Sequence, residues 1–233
     1  MTKSNNTPDV LRNFFKRWPA FYYFIALVFG PLMFGGLSAK KFLHKYPRAG
    51  KTLNIGSGPQ RLGSDIINVD IHPYAGVDIV ADGMSVPLPD GSVSRIVSNT
   101  VLEHVANPKA AIDEMHRLLP VGGFVYICVP FLYQFHTSPN DFQRWTHEGL
   151  RELMKDFTIV EIGVRAGPFS ALTVTLCYIC ATIFSFGSKK LYWILVNVFM
   201  VVFFPIKFLD ILFNHWPNAI NMSAIIYCVA KKR

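Results

Sequence analysis

The sequence predicts an α/β fold built on a largely parallel sheet. Three observations carry this: short apolar runs alternate with helical patterns between residues 51 and 164, several of the runs stop on glycine or aspartate, and Phe124 to Val129 is uninterrupted apolar sequence. A strand covered on both faces reads as such a run, and strands alternating with helices imply parallel crossovers.

In chain order, Lys51 to Ile55 is a first short strand, closed by Gly56-Ser57-Gly58-Pro59. Ile66 to Asp70 is a second strand and Val77 to Asp82 a third, both ending on a carboxylate, and Ser94 to Ser98 is a fourth. The spacing of Ala110, Ala111, Met115, Leu118 and Leu119 makes residues 106–119 a helix, stopped by Pro120-Val121-Gly122-Gly123. Phe124 to Val129 follows as the fifth strand. Thr146, as an N-cap with Glu148 in the first turn, opens a helix running to about Lys155. Thr158 to Val164 and Ser223 to Ala230 supply the last strands, and Lys40 to Tyr46 suggests a further short helix.

Composition bounds the function. The chain has 233 residues, of which 51% are apolar and 16% charged, and its mean hydropathy is +0.30. A soluble domain carries ~25% charged residues, so both a disordered chain and an ordinary soluble enzyme are disfavoured. The net charge of +8 divides into +8 for residues 1–51, −5 for 52–168 and +5 for 169–233. Positive charge thus borders apolar flanks instead of covering a folded face. That pattern suits an anionic membrane surface and excludes a nucleic-acid partner.

Three stretches are apolar enough for membrane contact. Trp18 to Ala39 has no charged residue but is interrupted by Gly30, Pro31, Gly35 and Gly36. A signal peptide is excluded there by Asp9 in the leader and by the poor cleavage site Leu37-Ser38-Ala39. Phe169 to Ser188 is uncharged, and Leu191 to Phe213 carries only Lys207 and Asp210. As a transmembrane hairpin this pair would place Lys189 and Lys190 on the far side, against the positive-inside bias. Two helices lying in the headgroup region avoid that conflict, and a buried helical subdomain is the alternative. The expected division is a membrane-associating segment at 1–50, a core at 51–168, an apolar helical insertion at 169–217, and a final strand with a basic tail at 218–233. Too few for a disulfide scaffold, the four cysteines read as packing groups, Cys177-x-x-Cys180 included, and the sequence assigns no metal ligands.

Ligands of open parallel sheets bind beyond the carboxyl ends of the strands. Gly56, Gly58, Asp70, Asp82 and Asn99 collect there. The glycines admit a ligand close to the backbone, Asp70 suits a pair of ribose hydroxyls, and Asp82 suits an exocyclic amine. A dinucleotide fingerprint is excluded because its third glycine is replaced by Arg61.

The ordered runs Leu53-Asn54-Ile55-Gly56-Ser57-Gly58, Asn68-Val69-Asp70-Ile71, Ala81-Asp82-Gly83, Leu88-Pro89-Asp90-Gly91-Ser92, Val101-Leu102-Glu103-His104-Val105 and Glu114 to Gly123 resemble class I S-adenosylmethionine-dependent methyltransferases. Within them the branch of quinone and polysaccharide-cluster enzymes is the most similar. The resemblance implies a Rossmann-like sheet, mostly parallel with its last strand antiparallel. It also implies S-adenosylmethionine held by Gly56, Ser57, Gly58, Asp70, Ile71, Asp82, Gly83 and Asn99. Residues 59–65 and 71–76 are too few for the family's first two crossover helices, because a parallel crossover needs a dozen residues or more. The early helices are therefore truncated.

The segment after the fifth strand carries an H…D…R-x-T pattern similar to that branch, at His136, Asp141, Arg144 and Thr146. It makes His136 the expected base, Asp141 its orienting partner, and Tyr133 and Arg144 substrate contacts. Pairing of Asp141 with Arg144 merely to shape the loop is an equal alternative. Three functions are compatible with these features: O-methylation of a lipid-borne acceptor at the cytoplasmic face of a membrane, methylation of a soluble small molecule, or a non-catalytic membrane scaffold. The oligomeric state is left open.

Overall fold

Side chains alternate across each strand, so a sheet buried on both sides sorts its residues into two cores. The computed structural model describes residues 30, 35–46, 50–59, 61–136 and 140–233. Most of Trp18–Ala39 lies outside them. Seven strands are described, β1 (Thr52–Ile55), β2 (Ile66–Asp70), β3 (Ile79–Val80), β4 (Arg95–Asn99), β5 (Phe124–Pro130), β6 (Phe157–Ala166) and β7 (Ile225–Lys232). Their order is β3-β2-β1-β4-β5-β7-β6. Strands β1 to β5 pair in parallel, and β7 runs antiparallel to both neighbours. This is the Rossmann-like class I methyltransferase sheet that the sequence predicts.

On one face, Leu53, Ile55, Ile96, Ile127 and Ile226 pack with α2 (Pro108–Leu118) and α3 (His147–Leu153) through Ile112, Met115 and Leu150. On the other, Val97, Tyr126, Cys128 and Tyr227 lie under Phe42 of α1 (Ala39–Lys45) and Ala171 of α4 (Pro168–Phe184). The helix suggested at Lys40–Tyr46 is α1. It is fastened by the buried Arg95, whose Nη1 donates to the carbonyls of Leu43 at 2.8 Å and Tyr46 at 3.0 Å while Nε and Nη2 reach Thr52 Oγ1.

Among the described residues no helix joins β1 to β2 or β2 to β3. Polar bonds hold these crossovers instead. Asp78 accepts from the Asn68 backbone N–H at 2.8 Å and from Arg61 at 2.5 Å, and the Asn68 amide donates to the Gly76 carbonyl at 3.0 Å. The third strand is shorter than predicted, two residues in place of six.

The apolar insertion forms an antiparallel pair, α4 with α5 (Lys189–Phe203), then two short 3₁₀ turns flanking α6 (Asp210–Phe213). Asp210 is fully buried and accepts from the backbone N–H groups of Gly167 at 3.2 Å, Phe169 at 2.8 Å and Ser170 at 2.9 Å. Those donors begin α4 and have no partner within the helix, so a distant carboxylate caps it. The run Lys189–Phe213 is 25 residues, long and apolar enough by length and composition to cross a membrane. It is not one straight helix, because α5 ends at Phe203 beside Pro205. The cysteines are free, and Cys128, Cys177 and Cys228 are buried as packing groups.

Candidate functional site

The carboxyl ends of β1, β2 and β4 open into a cavity of about 630 Å³, within the range of small-molecule sites. Gly56, directly after β1, has φ +65°, and a Cβ there would lie 2.4 Å from Val101 Cγ2. Only glycine satisfies both the left-handed backbone and this close approach. Asp70, ending β2, accepts from Gly58 N–H at 2.8 Å and His72 N–H at 2.9 Å, so it holds the glycine turn against the second strand. Asp82 accepts from Met84 N–H at 2.8 Å, which turns the chain after β3 along the cavity wall.

Of the residues predicted for the cofactor, Gly56, Gly58, Asp70, Ile71, Asp82 and Gly83 line this cavity. Ile71 is 60% exposed, an apolar side chain open for a flat ring to cover. Ser57 and Asn99 do not line it. The Ser57 hydroxyl turns to the Gly58 carbonyl, and Asn99 is exposed at the end of β4, where Thr100, with φ +56°, carries the chain on so that Val101 and Leu102 form the wall.

The residues predicted for chemistry divide in the same way. His136 lines the cavity; Tyr133, Asp141 and Arg144 do not. Arg144 donates to both oxygens of Asp141, at 2.5 and 2.6 Å, and to the carbonyls of Tyr133, Gln134 and Gln143. The guanidinium is therefore committed to shaping the loop, and it holds the Asp141 carboxyl down to about 2. Asp141 in turn accepts from His136 N–H at 2.7 Å, which positions the backbone that carries that ring. Tyr133 is buried between the loop and α4, and burial pushes its hydroxyl up to about 12. Thr146 is the N-cap of α3, accepting from Gly149 N–H at 3.0 Å.

Two residues beyond those predicted for the site, Glu103 and His104, also belong to it. They form a 3₁₀ turn (Leu102–His104) whose histidine lines the cavity beside His136, the two rings standing edge to face at 5.2 Å. Glu103 lies beneath both rings. The Glu103 carboxylate holds the His136 imidazole above its ordinary value. The signal was the pair of polar residues inside the otherwise apolar run 101–105.

Residues 56–127 match the family model described as a methyltransferase domain. Solved structures share the fold at low identity. A SAM-dependent methyltransferase from Thermotoga maritima is 19% identical, with 95% of this chain and 99% of that one covered at a TM-score of 0.53. A Bacillus halodurans protein titled a methyltransferase is 10% identical over 83% and 96%, with a TM-score of 0.52. The Haloferax volcanii complex of the Trm112 methyltransferase activator with its partner gives 18% identity over 83% and 88%, at 0.51. No curated protein matches the chain in sequence. The match to a methyltransferase domain covers the glycine turn and both strand-end carboxylates, and that turn, the carboxylate at the second strand end and the cavity volume fit S-adenosylmethionine, the expected cofactor.

Proposed function

We propose that this chain methylates an oxygen of an acceptor carried at the cytoplasmic face of a membrane, such as a lipid-linked saccharide, a quinone or a lipid. One observation carries the reading: the loop after β5 belongs to two places at once. Tyr133 packs against Val174, Cys177 and Met200 of the apolar helices, and the Gln134 amide donates to Thr175 Oγ1 at 2.9 Å. Two residues later His136 faces the cofactor cavity. A change in how α4 and α5 are seated is thereby transmitted to the acceptor side of the cleft.

S-adenosylmethionine supplies the methyl group as a sulfonium. When bound it would give that methyl group to the acceptor oxygen, whose proton would leave to water in the open cleft. Asp70 and the Gly56–Gly58 turn hold the donor side, so much of the rate comes from alignment. The acceptor side is bounded by His104, His136, Asn140 and Phe142.

Support for the membrane comes from what the helices expose. Ile179, Ile183, Phe184, Trp193, Ile194 and Val202 are each at least half exposed on one contiguous pair of helices, beyond what a soluble monomer leaves uncovered. At ~1.5 Å per residue, α4 is roughly 25 Å long and α5 roughly 22 Å before the 3₁₀ turn at Pro205 interrupts the run, each straight segment short of a ~30 Å hydrocarbon core. Flat or shallow seating suits them better than a crossing. The initial test supplies methyl-labelled S-adenosylmethionine to the full chain in vesicles made from membrane lipid extract. Label is expected in the organic phase, and Asp70→Ala is expected to weaken cofactor binding at least about tenfold, or 1.4 kcal/mol. Label confined to water-soluble acceptors would overturn the membrane acceptor, and a folded wild type that binds no cofactor would overturn the enzyme.

A further inference from the structure

We propose that Glu103, His104 and His136 form a binding site for one divalent transition ion, of the zinc or manganese kind, on the acceptor side of the cleft. One donor atom from each converges within 4.8 Å. Glu103 Oε1 stands 3.8 Å from His136 Nε2 and 3.9 Å from His104 Nε2.

Two independent features point to a cation. Glu103 is fully buried, yet neither carboxylate oxygen has a hydrogen-bond partner among the described residues. A buried carboxylate with no hydrogen bond is costly, and such an orphan calls for an ion or a water. The second feature is the orientation of the rings. His104 Nδ1 lies 2.5 Å from the Asn140 carbonyl, to which it donates. His136 Nδ1 lies 3.1 Å from the Gln134 carbonyl and 3.4 Å from Arg144 Nη2. That guanidinium nitrogen has two hydrogens, and they are directed to Gln134 O at 2.9 Å and Asp141 Oδ2 at 2.6 Å. Nδ1 of His136 is therefore a donor as well. In the neutral rings both Nε2 atoms then present lone pairs toward Glu103, where a metal ion would take the place of a proton, the arrangement in which metal-binding histidines are held by carbonyls behind them.

Two histidines and one carboxylate are the protein ligands of open zinc and iron sites, with the remaining positions left for substrate. Around an ion bound at ~2.1 Å, tetrahedral donors stand roughly 3.4 Å apart, so each histidine needs to close on Glu103 by about half an ångström, and the two rings on each other from within 4.8 Å. The open positions face the cavity that His104 and His136 line. An ion there acidifies an acceptor hydroxyl lying against it, and the released proton passes to water. His136 then serves as a ligand in place of the base expected from the sequence. The catalytic use of the ion rests on the methyl-transfer reading above; its binding does not.

The test uses the full chain in detergent, stripped with a chelator and titrated with Co²⁺ and then Zn²⁺, without acceptor or cofactor. One equivalent is expected, with the visible absorption of Co²⁺ in a histidine and carboxylate site displaced by Zn²⁺. Glu103→Gln and His136→Ala are each expected to lower affinity at least about tenfold, while the exposed His44→Ala binds like the wild type. S-adenosylhomocysteine binding on the same samples reports the fold and the donor site separately. A wild type that binds the product but neither metal would overturn the proposal, as would a Glu103→Gln or His136→Ala variant that binds metal unchanged.

Discussion

Helices α2 and α4 are built on opposite plans. In α2, Ala111, Ile112, Met115 and Leu118 are turned to the sheet, and the charged Lys109 and Asp113 pair on the outside. In α4 most of the buried residues are small or weakly polar, Ser170, Ala171, Thr173, Cys177 and Ala181 beside a single Val174, and the larger apolar ones, Leu172, Ile179, Ile183 and Phe184, are outside. The first plan gains stability from removing apolar surface from water. The second packs helices through small residues that allow close approach, as helices in lipid do. The difference is what the membrane reading proposed above expects of one chain folded for two solvents, with Asp210 and the loop after β5 at their junction.

The largest effect is expected at that junction. Asp210→Ala leaves three buried N–H groups at the start of α4 without an acceptor, a loss of about 3 kcal/mol or more, checked by thermal unfolding in detergent; Asp210→Asn is expected to recover part of it. Next, Glu114→Gln breaks the bond to Arg117, whose guanidinium also ties down the Leu88 and Val86 carbonyls and Asp90. It is expected to cost about 2 kcal/mol. Arg117, and then the Val86 N–H, hold the Glu114 carboxyl below its ordinary value. Its contribution is therefore complete above the normal glutamate range and fades as pH falls through the lowered value, so acid unfolding of the wild type should lose this increment, whereas Glu114→Gln should not.

Ala181→Leu sharpens the contrast directly. On the buried face of α4 it overpacks the contact with α5 and is expected to destabilise by about 1–3 kcal/mol. Ile183→Ser, two residues on and 60% exposed, is expected to leave unfolding nearly unchanged and to weaken vesicle binding severalfold in flotation. If instead Ile183→Ser destabilised the chain in detergent as much as Ala181→Leu, the outer face would be a protein contact and not a lipid one.

Much of the sheet was legible because strand runs and helix periods are local signals. The strand-end residues Gly56, Asp70 and Asp82 could be placed for the same reason, since order along the chain sets where each strand stops. Tyr133, Arg144 and Glu103 were harder to read. Their roles depend on what lies across from them: α4 for Tyr133, four oxygen-bearing groups for Arg144, and two histidine rings 32 positions apart in sequence for Glu103. No period or spacing encodes those encounters. Asn99 stands outside the cavity wall for a smaller reason, a left-handed turn at Thr100 that starts the wall one residue further along.

The pairing of Ala166 with Ile225 at the end of the β6–β7 ladder has a consequence for how such a chain can vary. Everything between those two residues leaves the sheet and returns to it at one neck, where Ala224 N–H also donates to the Gly167 carbonyl at 3.3 Å. A self-closing excursion of this kind behaves as a cassette. It can be lengthened, shortened or exchanged without moving any strand register, so the apolar surface can diverge while the cavity at the strand ends stays fixed.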